Sequence, residues 1–537
     1  MMQPPIFNRV NTPPAEQLLL SKLGYGADEW SLARIKALGI KGYIEEQLRP
    51  DDSQDELLNQ KLNQLSYRID YDYTDAFGNR KVVKENRPYR LIHQPITELW
   101  PLFSDSVPYP EKIYVSKQVF GATILRGIYS RWQLRELLAD FWHNHFNISI
   151  NTDDRVAIAF PVYDRDVIRK NCLGNFRQML EDVAKSVCMQ FYLDNASSKA
   201  SPANENYARE LFELHTMGAD SYMNHLYNKW REVPGALEGR PEGYIDEDVY
   251  EAARAFTGWT IADGSADWKG GHFPNTGEFH YFEQWHDNYQ KRVLGVEFSP
   301  NQAPMADGKK VLDILARHPA TAKFIAKKLC TRLVADAPGE ALIAEAAREF
   351  LQSVDQPDQI ARVVRVIALS EECRNTWGNK IKRPLELVIS TFRAVKADVI
   401  PNDNLLWTLL QMGQQPFAWP TPDGYPDHSA HWINAEMLLR RWNFPLNVLN
   451  YDWHNYAKTE MSGQTPDHLR THREVTQYWL NRILGYLPPA ETVKELSAYL
   501  ADGGRPDGDF KWKGSYRNEK ISWLVSAILL LPDFQVR

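Results

Sequence analysis

The sequence predicts a mainly α-helical protein, a multi-helix globular body with long irregular loops and at most a small β-hairpin. Apolar residues recur at spacings of three and four along much of the chain, as one face of a helix requires. Runs in which apolar and polar residues alternate are scarce, and the clearest one, SKQVFGATI, overlaps a better helical pattern. No rhythm of strands and helices indicates a Rossmann fold or an α/β barrel.

The helical pattern divides into segments that follow one another along the chain. Each segment places its apolar residues on one face of a helix. The predicted helices cover residues 29–48, 119–142, 167–186, 309–334, 341–353, 385–397 and 473–487. The word DEDVYEAARAFTGW, at 246–259, predicts a further helix that begins with capping acids and ends near Gly258.

Three segments interrupt the helical pattern. Residues 219–245 have the character of an inserted loop, and residues 262–308, rich in Gly, Asp, His and aromatic residues, contain a predicted short hairpin. Residues 414–432 form a third loop that is dense in Pro, Asp and His. Long irregular segments inside a helical body often carry function, so these loops are candidate parts of a site.

The length of the chain favours more than one substructure. A chain of 537 residues exceeds what one simple core usually serves, and two to four substructures are expected. We predict an N-terminal helical region with an irregular segment over 1–118, a motif-bearing helical core with a loop insertion over 119–300, and a C-terminal helical region over 301–537.

Composition limits the classes of function. The net charge is −7 and no long basic run occurs, which argues against nucleic-acid binding. No apolar run is long enough to span a membrane, and the N-terminus lacks the parts of a secretory signal. We therefore expect a cytoplasmic protein, with export left open. The four cysteines form no C-x-x-C pair, which disfavours a zinc-thiolate site.

Several words of the sequence occur together, in this order, in a known family. They are FWHNHFNIS at 141–149, FYLDN at 191–195, NENYARELFELHTMG at 204–218, HDNYQKRVLG at 286–295 and GQQPFAWPTPDGYPDHSAHW at 413–432. The chain resembles the bacterial domain of unknown function 1800 family from about residue 15 to its end. The resemblance implies a mostly helical protein, and it implies a sulfatase-like neighbour protein as a possible partner. The chain differs from the family in the extra residues between Met217 and Tyr244.

The word NENYARELFELHTMG raises the question of whether a charged helix face lies in solvent or forms the wall of an active site. On an ideal helix one sector holds the polar residues Glu205, Asn206, Arg209, Glu210 and Glu213. The sector is either a solvated face with ion pairs at i,i+4 spacing or a pocket wall that supplies ligands or a general acid/base.

The helical wheel gives each member of this sector an expected position. Asn206 and Glu210 lie one turn apart beside the apolar side, so we expect them to face inward, with Glu205 nearest to solvent. His215 falls with the apolar residues, which predicts a hydrogen-bonded core histidine rather than a ligand.

Histidines supply the candidate metal ligands. We expect the chain to leave its helix near His143, so that His143 and His145 project to the same side of an extended segment and bind a divalent metal. The alternative is that both cap the helix or bond to the backbone. His286 with Asp287 forms a second candidate, either as a ligand and acid/base pair or as a plain turn.

These residues favour a metal-dependent enzyme, most simply a hydrolase of a polar, carbohydrate-like substrate. The predicted metal ligands are His143, His145 and His286, and the predicted catalytic residues are Asn206, Arg209, Glu210, Glu213 and Asp287. A metal-dependent oxidoreductase is the nearest alternative, because the ligand types do not select the metal. A non-catalytic helical scaffold, or a partner of the sulfatase-like protein, is the other alternative. Nothing resembles a P-loop, a dinucleotide loop or a G-x-S-x-G elbow.

Overall fold

The computed structural model describes residues 12–75, 77–267, 270–451, 454–511 and 513–537. The sequence-based interpretation of the N-terminus as lacking a secretory signal concerns residues 1–20, of which residues 1–11 lie outside this range. The start of the predicted region 1–118 therefore also lies outside the described residues, and so do Trp268 and Lys269 at the predicted hairpin.

Helices make up most of the molecule, so the predicted mainly α-helical class is confirmed. They are joined by short turns, 3₁₀ segments and the loops described below. The α-helices are α1 (Ala15–Lys22), α2 (Glu29–Gln47), α3 (Glu56–Gln64), α4 (Ile96–Leu99), α5 (Tyr109–Tyr129), α6 (Gln133–His145), α7 (Asp154–Val162), α8 (Phe176–Lys185), α9 (Val187–Tyr192), α10 (Asn206–Glu210), α11 (Asp246–Phe256), α12 (Ala306–Ala316), α13 (Pro319–Leu333), α14 (Glu340–Gln352), α15 (Gln359–Leu369), α16 (Glu371–Asn375), α17 (Pro384–Ala394), α18 (Asp403–Gln411), α19 (Ala435–Asn450), α20 (His472–Leu484), α21 (Ala490–Leu500), α22 (Gly514–Leu530) and α23 (Pro532–Gln535).

Three of the long predicted helices are interrupted. One of them, 167–186, breaks between the π-helical segment that ends at Arg169 and α8, which begins at Phe176. The segment 309–334 divides into α12 and α13, because Pro319 disfavours helical geometry in the residue before it. His318 is extended there, and its ring accepts a hydrogen bond from Ala320 N. The segment 119–142 divides between α5 and α6 at Ser130, whose hydroxyl donates to Asp55 Oδ2 at 2.6 Å.

Small two-stranded antiparallel sheets account for the strands of the described chain. The strands are β1 (Ser66–Thr74), β2 (Arg80–Pro88), β3 (Trp259–Asp263), β4 (Asn275–Tyr281), β5 (Lys291–Val293), β6 (Val296–Phe298), β7 (Asp398–Val399) and β8 (Ala457–Lys458). They pair as β1–β2, β3–β4, β5–β6 and β7–β8. The expectation of at most one hairpin was too low, because β1 reads SYRIDYDYT, an alternating run whose Tyr67 and Ile69 are buried.

One hydrophobic cluster runs through all three regions predicted from the sequence. Its buried residues extend from Leu19 to Phe534 and include Trp142, Phe212 and Leu329. The N-terminal, central and C-terminal segments therefore pack on a common core. None of the described helices combines the length and the apolar character that crossing a bilayer needs.

Two helices change their hydrogen-bonding pattern along their length. The segment Tyr163–Arg169 continues α7 as a π-helix, and Leu211–Thr216 continues α10 in the same way. Thr216 Oγ1 donates to Leu211 O at 2.6 Å, five residues earlier. The π-helix is rare and frequently marks functional sites. Both π-helical segments lie in or against the sequence words that resemble the family.

Candidate active site

Three of the family-like words meet in space. The end of α6 contacts the second π-helical segment, where His145 Nε2 donates to His215 O at 3.1 Å. The same end of α6 binds the 414–432 loop through Asn144, whose side chain exchanges hydrogen bonds of 2.8 and 2.7 Å with the backbone of Tyr425. Asn147 Nδ2 donates to Thr421 O at 2.7 Å. The FWHNHFNIS word thus positions the loop.

The close approach of the loop to α6 requires a glycine. Gly424 has a φ of +73°, and a Cβ at this position would lie 2.2 Å from Asn144 O. The following part of the loop is held by charge: Ser429 N donates to Asp336 Oδ2 at 2.8 Å, and Lys380 Nζ lies 3.2 Å from Asp427 Oδ1. These hydrogen bonds and the ion pair hold the 414–432 loop in one position against the helices.

Glu210 and Glu213 lie at the junction of α10 and the π-helical segment, both half-buried. Neither carboxylate has a hydrogen bond or an ion pair with any described residue. Burial first, and then the negative charges of Glu213 and Asp423, raise the pKa of Glu210 to about 7, although Arg209 opposes the shift. Glu210 can therefore both hold and release a proton near neutral pH, which a general acid/base needs.

Asp423 is the acid that the 414–432 loop places near Glu210. Its carboxylate is exposed and accepts hydrogen bonds from Trp419 Nε1 at 3.0 Å and from Thr421 Oγ1 at 2.5 Å. The Trp419 ring packs on Tyr425, with 4.7 Å between centroids. Glu210, Glu213 and Asp423 are called the carboxylate site below. The site therefore brings a carboxylate of the loop near the raised-pKa carboxyl of Glu210.

Sequence reasoning did not select Asp423 or Trp419 as site residues. A polar loop contains such residues routinely, and the helical wheel carries no information about which loop faces a helix. The available signal was that GQQPFAWPTPDGYPDHSAHW belongs to the same ordered set of words as NENYARELFELHTMG. Words that recur together in one family are candidates for contact in the fold.

The predicted orientation of the NENYARELFELHTMG face is partly wrong. Asn206 is exposed rather than inward, and Glu205 is no more exposed than its neighbours, because Arg209 binds it at 3.2 Å and also binds Asp246 at 3.0 Å. The physical reason is that α10 spans only Asn206–Glu210 before the π-helical segment begins. A wheel with 100° per residue does not describe this stretch. Arg209 therefore joins a surface ion-pair group.

His215 is fully buried, as predicted for a core histidine. Its ring nitrogens nevertheless have no hydrogen-bond partner among the residues that the structure describes. Burial first, and then the charge of Lys328, lower the pKa of His215 to about 3, so the ring is neutral. The expected hydrogen bond involves the backbone of His215 instead of its side chain, because the carbonyl accepts from His145.

The two histidines of the H-x-H word point to different surroundings. α6 continues through His145, so two residues of helix separate the rings by about 200° and the expected same-side arrangement is wrong. His143 Nε2 donates to Asp164 Oδ1 at 2.9 Å, and Arg126 Nη1 lies 3.1 Å from the other oxygen. Although burial opposes it, the hydrogen bond from His143 and the charge of Arg126 hold the Asp164 pKa well below its usual range.

His286 and Asp287 belong to a separate group of buried charges. Asp287 accepts hydrogen bonds from Arg254 Nε at 2.8 Å and Nη2 at 3.1 Å. His286 Nε2 lies 3.3 Å from Asp307 Oδ2, and Lys291 Nζ lies 2.8 Å from the same oxygen. These five residues are called the paired cluster. None of the contacts just given involves Glu210, Glu213 or Asp423, and a pocket shared by these acids with Asp287 and His286 stays a prediction.

The three predicted metal ligands therefore lie in three different settings. His143 binds Asp164, His145 binds a backbone carbonyl, and His286 faces Asp307. Across the part of the chain that the structure describes, no three His, Cys, Asp or Glu side chains are grouped as a metal ion would need. The expectation of one centre formed by these three histidines is corrected by this placement, because each ring already has its own partner.

Comparison with known proteins identifies a family and nothing narrower. The family model described as "Protein of unknown function (DUF1800)" matches residues 18–536. No protein of curated function matches the chain. No solved structure matches it either.

Proposed function

The chain belongs to the DUF1800 family, and from that premise we propose that it is a hydrolase of a polar, carbohydrate-like substrate whose general acid is Glu210. One observation carries the proposal: Glu210 is half-buried, has a pKa of about 7 and no hydrogen-bond or ion-pair partner among the described residues, and lies near Asp423, which lines a cavity. Pairs of acids whose environments separate their protonation states are typical of hydrolytic sites.

The roles follow from the surroundings of each carboxylate. Protonated Glu210 would donate its proton to the leaving oxygen of the substrate, while the Asp423 carboxylate would take a proton from the attacking water. Glu213 would maintain the raised pKa of Glu210 through its charge. The Trp419 ring, half-buried beside Asp423, offers an apolar face on which a sugar ring can stack.

This proposal modifies the metal-dependent enzyme expected from the sequence. Acid and base are both supplied by carboxylates, so the reaction needs no metal-bound water. The saccharide substrate, the absence of a need for metal and the direction of proton transfer all belong to the proposal. A scaffold or partner role without chemistry, the alternative from the sequence, gives the same fold but no function for an unpartnered Glu210.

The test compares substitutions at two glutamates, Glu210 at the end of α10 and Glu205 just before its start. Purified full chain is incubated with a panel of neutral and acidic oligosaccharides, and new reducing ends are measured. Glu210→Gln should lower the rate about 100-fold or more, as for loss of a general acid. Glu205→Gln, which removes a carboxylate bound by Arg209, should stay within about twofold, as expected for a surface ion pair.

A second measurement does not depend on knowing the substrate. In protein labelled with ¹³C at glutamate carboxyl groups, one resonance should titrate near pH 7 and be missing from Glu210→Gln. Full activity in Glu210→Gln would refute the catalytic role. A panel in which the wild-type chain cleaves no saccharide would count against the substrate class and would favour the scaffold alternative.

A further inference from the structure

We propose that the cavity between α6, α13 and the 414–432 loop binds an acidic saccharide, with Lys328 as the counter-ion of its anionic group. The inference rests on the proposed function, because Asp423 of the carboxylate site lines the same cavity. It adds a substrate class, a saccharide that carries carboxylate or sulfate groups, and a residue that selects it.

The cavity has the size of a small-ligand site. Its volume is about 550 Å³, within the range typical of such pockets. His145 and Asn144 line it from α6, Lys328 and Thr331 line it from α13, and the loop contributes the stretch from Asp423 to His428. A ligand in this space would contact Asp423 and α13 together.

Most charges that line this cavity already have partners. Arg332 and Arg383 both bind Asp140, and Arg332 also lies 3.1 Å from Glu386. Lys327 lies 3.7 Å from Asp220. These cations are neutralised by the protein itself, so they give little reason to expect a ligand.

The acids of the wall are held in the same way. Asp336 lies 2.9 Å and Asp427 lies 3.2 Å from Lys380 Nζ. Asp423 accepts its two hydrogen bonds from the loop. The wall therefore contains charges of both signs, and the charged side chains without an ion-pair partner determine which ligand it favours.

Lys328 is the cation of this wall for which no described residue provides an ion pair or a hydrogen bond. Its Nζ faces the Phe324 ring, 5.3 Å from the centroid. Burial lowers the pKa of Lys328 to about 8, while the charges of Asp427 and Asp423 oppose the shift without coming into contact. A half-buried ammonium group loses hydration that an anionic ligand would replace.

An independent observation points to a ligand with hydroxyl groups. His145 is buried, lines the cavity, and uses Nε2 to donate to His215 O, so a neutral ring carries its lone pair on Nδ1. Burial first, and then the charge of Lys328, keep the pKa of His145 well below its usual range. Nδ1 has no partner. A ligand with hydroxyl groups would supply the donor that this acceptor lacks.

The cavity also has room for more than one sugar unit. A second cavity of about 880 Å³ adjoins it and shares Phe324 and Lys327 as lining residues. Its wall includes Arg240 and Lys323 as well as the acid Glu242, and it is formed partly by the inserted loop. An extended acidic chain could therefore lie along α13, with one anionic group at Lys328.

The experiment measures binding without turnover. Glu210→Gln protein is titrated by calorimetry with tetragalacturonate, with a sulfated carrageenan tetrasaccharide, and with cellotetraose as the neutral probe of equal length. At least one acidic probe should bind at least tenfold more tightly than cellotetraose, and the two acidic probes distinguish carboxylate from sulfate. Adding Lys328→Gln should remove that preference, and Lys328→Arg should retain it within about threefold because the charge is kept.

Lys494→Gln is the control, since this exposed lysine of α21 lines neither cavity, lies 3.1 Å from Glu491 and should change binding less than twofold. Equal binding of acidic and neutral probes would overturn the inference, and so would a preference that survives Lys328→Gln. Failure of the proposed hydrolysis is seen separately: the acidic preference would persist in binding while the wild-type chain cleaves nothing.

Discussion

The carboxylate site and the paired cluster contain the same kinds of residue and use them in opposite ways. In the paired cluster, Asp287 is held by two hydrogen bonds from Arg254, and Asp307 is shared by His286 and Lys291. In the carboxylate site, Glu210 has no hydrogen-bond or ion-pair partner in the described part of the chain and lies near two further acids. The comparison teaches that the partners of an acid, rather than its residue type, indicate whether it stabilises the fold or is available for chemistry.

The two arrangements also have opposite energetic consequences. A buried charge that keeps its partner contributes little by itself, but removing the partner leaves an uncompensated charge and is strongly destabilising. A half-buried acid beside other acids lowers stability whenever it is ionised. Groups of the second kind concentrate at functional sites, where the cost in stability accompanies an activity.

The largest expected effect comes from breaking the paired cluster. Arg254→Met removes the partner of Asp287 while keeping most of the side-chain volume, and we expect the free energy of unfolding to fall by about 3 kcal/mol. Chemical denaturation monitored by fluorescence would measure it. Arg209→Met is the control, because its ion pairs are largely exposed and should contribute below about 1 kcal/mol. Equal losses in both variants would remove the distinction between the two regions.

Replacing Glu210 should raise the free energy of unfolding, which is opposite to the change expected for Arg254→Met. The folded-state pKa is about 7, above the usual 4.5, so the stability contributed by its protonation is fully present below pH 4.5 and is lost as pH rises through 7. Glu210→Gln cannot ionise, so its stability relative to the wild type should increase between pH 4.5 and 7. Solvent screening of this partly exposed carboxyl limits the gain to about 1 kcal/mol. A gap that does not change with pH would show that the Glu210 pKa is ordinary.

Replacing Glu213 should produce a smaller change with a defined direction. If Glu210 acts as the acid, activity declines as pH rises above about 7, where Glu210 loses its proton. Glu213→Gln removes one of the negative charges that raise this pKa, so the declining limb should move to lower pH. The pH profile of kcat/KM measures the shift. A limb that stays in place would mean that the Glu213 charge does not contribute to the pKa.

The sequence predicted the fold class because helical periodicity is a local property. Apolar spacing was enough to find α2, α14, α17 and α20 close to their observed bounds. The sequence also contains the signals for the interruption at Pro319 and for strand β1 at Ser66–Thr74. They are a residue followed by proline and a run of alternating apolar and polar residues. Both were missed because a longer helical pattern, or the overall scarcity of strands, dominated the interpretation.

The site was predicted less completely, for two physical reasons. The wheel assumed a regular helix, whereas Leu211–Thr216 is a π-helix, and this misplaced Asn206 and Glu205. The rest of the site depends on contacts between segments far apart in the sequence, such as Gly424 against Asn144. A local sequence pattern carries no information about such contacts. Glu210 and Glu213 were identified as candidates from residue type, but Asp423 and Lys328 required the fold.

A substitution at the surface of α10 should have almost no effect on activity or stability. Asn206 is exposed, and its backbone N donates to Asn204 Oδ1 at 2.9 Å. Asn206→Ala should therefore leave the rate and the pH profile unchanged and alter stability by no more than about 0.5 kcal/mol, as for a typical surface substitution. Thermal melting and the saccharide assay measure both quantities. A large loss of activity would restore the inward position that the helical wheel suggested for this residue.

The smallest expected effect is that of a chelator, and it tests whether the histidines serve the fold or a metal. His143 and His145 already use Nε2 in hydrogen bonds to Asp164 and to the His215 carbonyl, as buried groups with partners do in the paired cluster. Removal of an ion present at a hundredfold excess over its Kd would lower stability by about 2.7 kcal/mol. We expect EDTA treatment followed by gel filtration to change neither the melting temperature nor saccharide cleavage, with reloading by zinc or manganese as the control. Loss of activity on chelation, restored by one metal, would instead show that the carboxylate site acts together with an ion, and would support the metal-dependent hydrolase expected from the residue types.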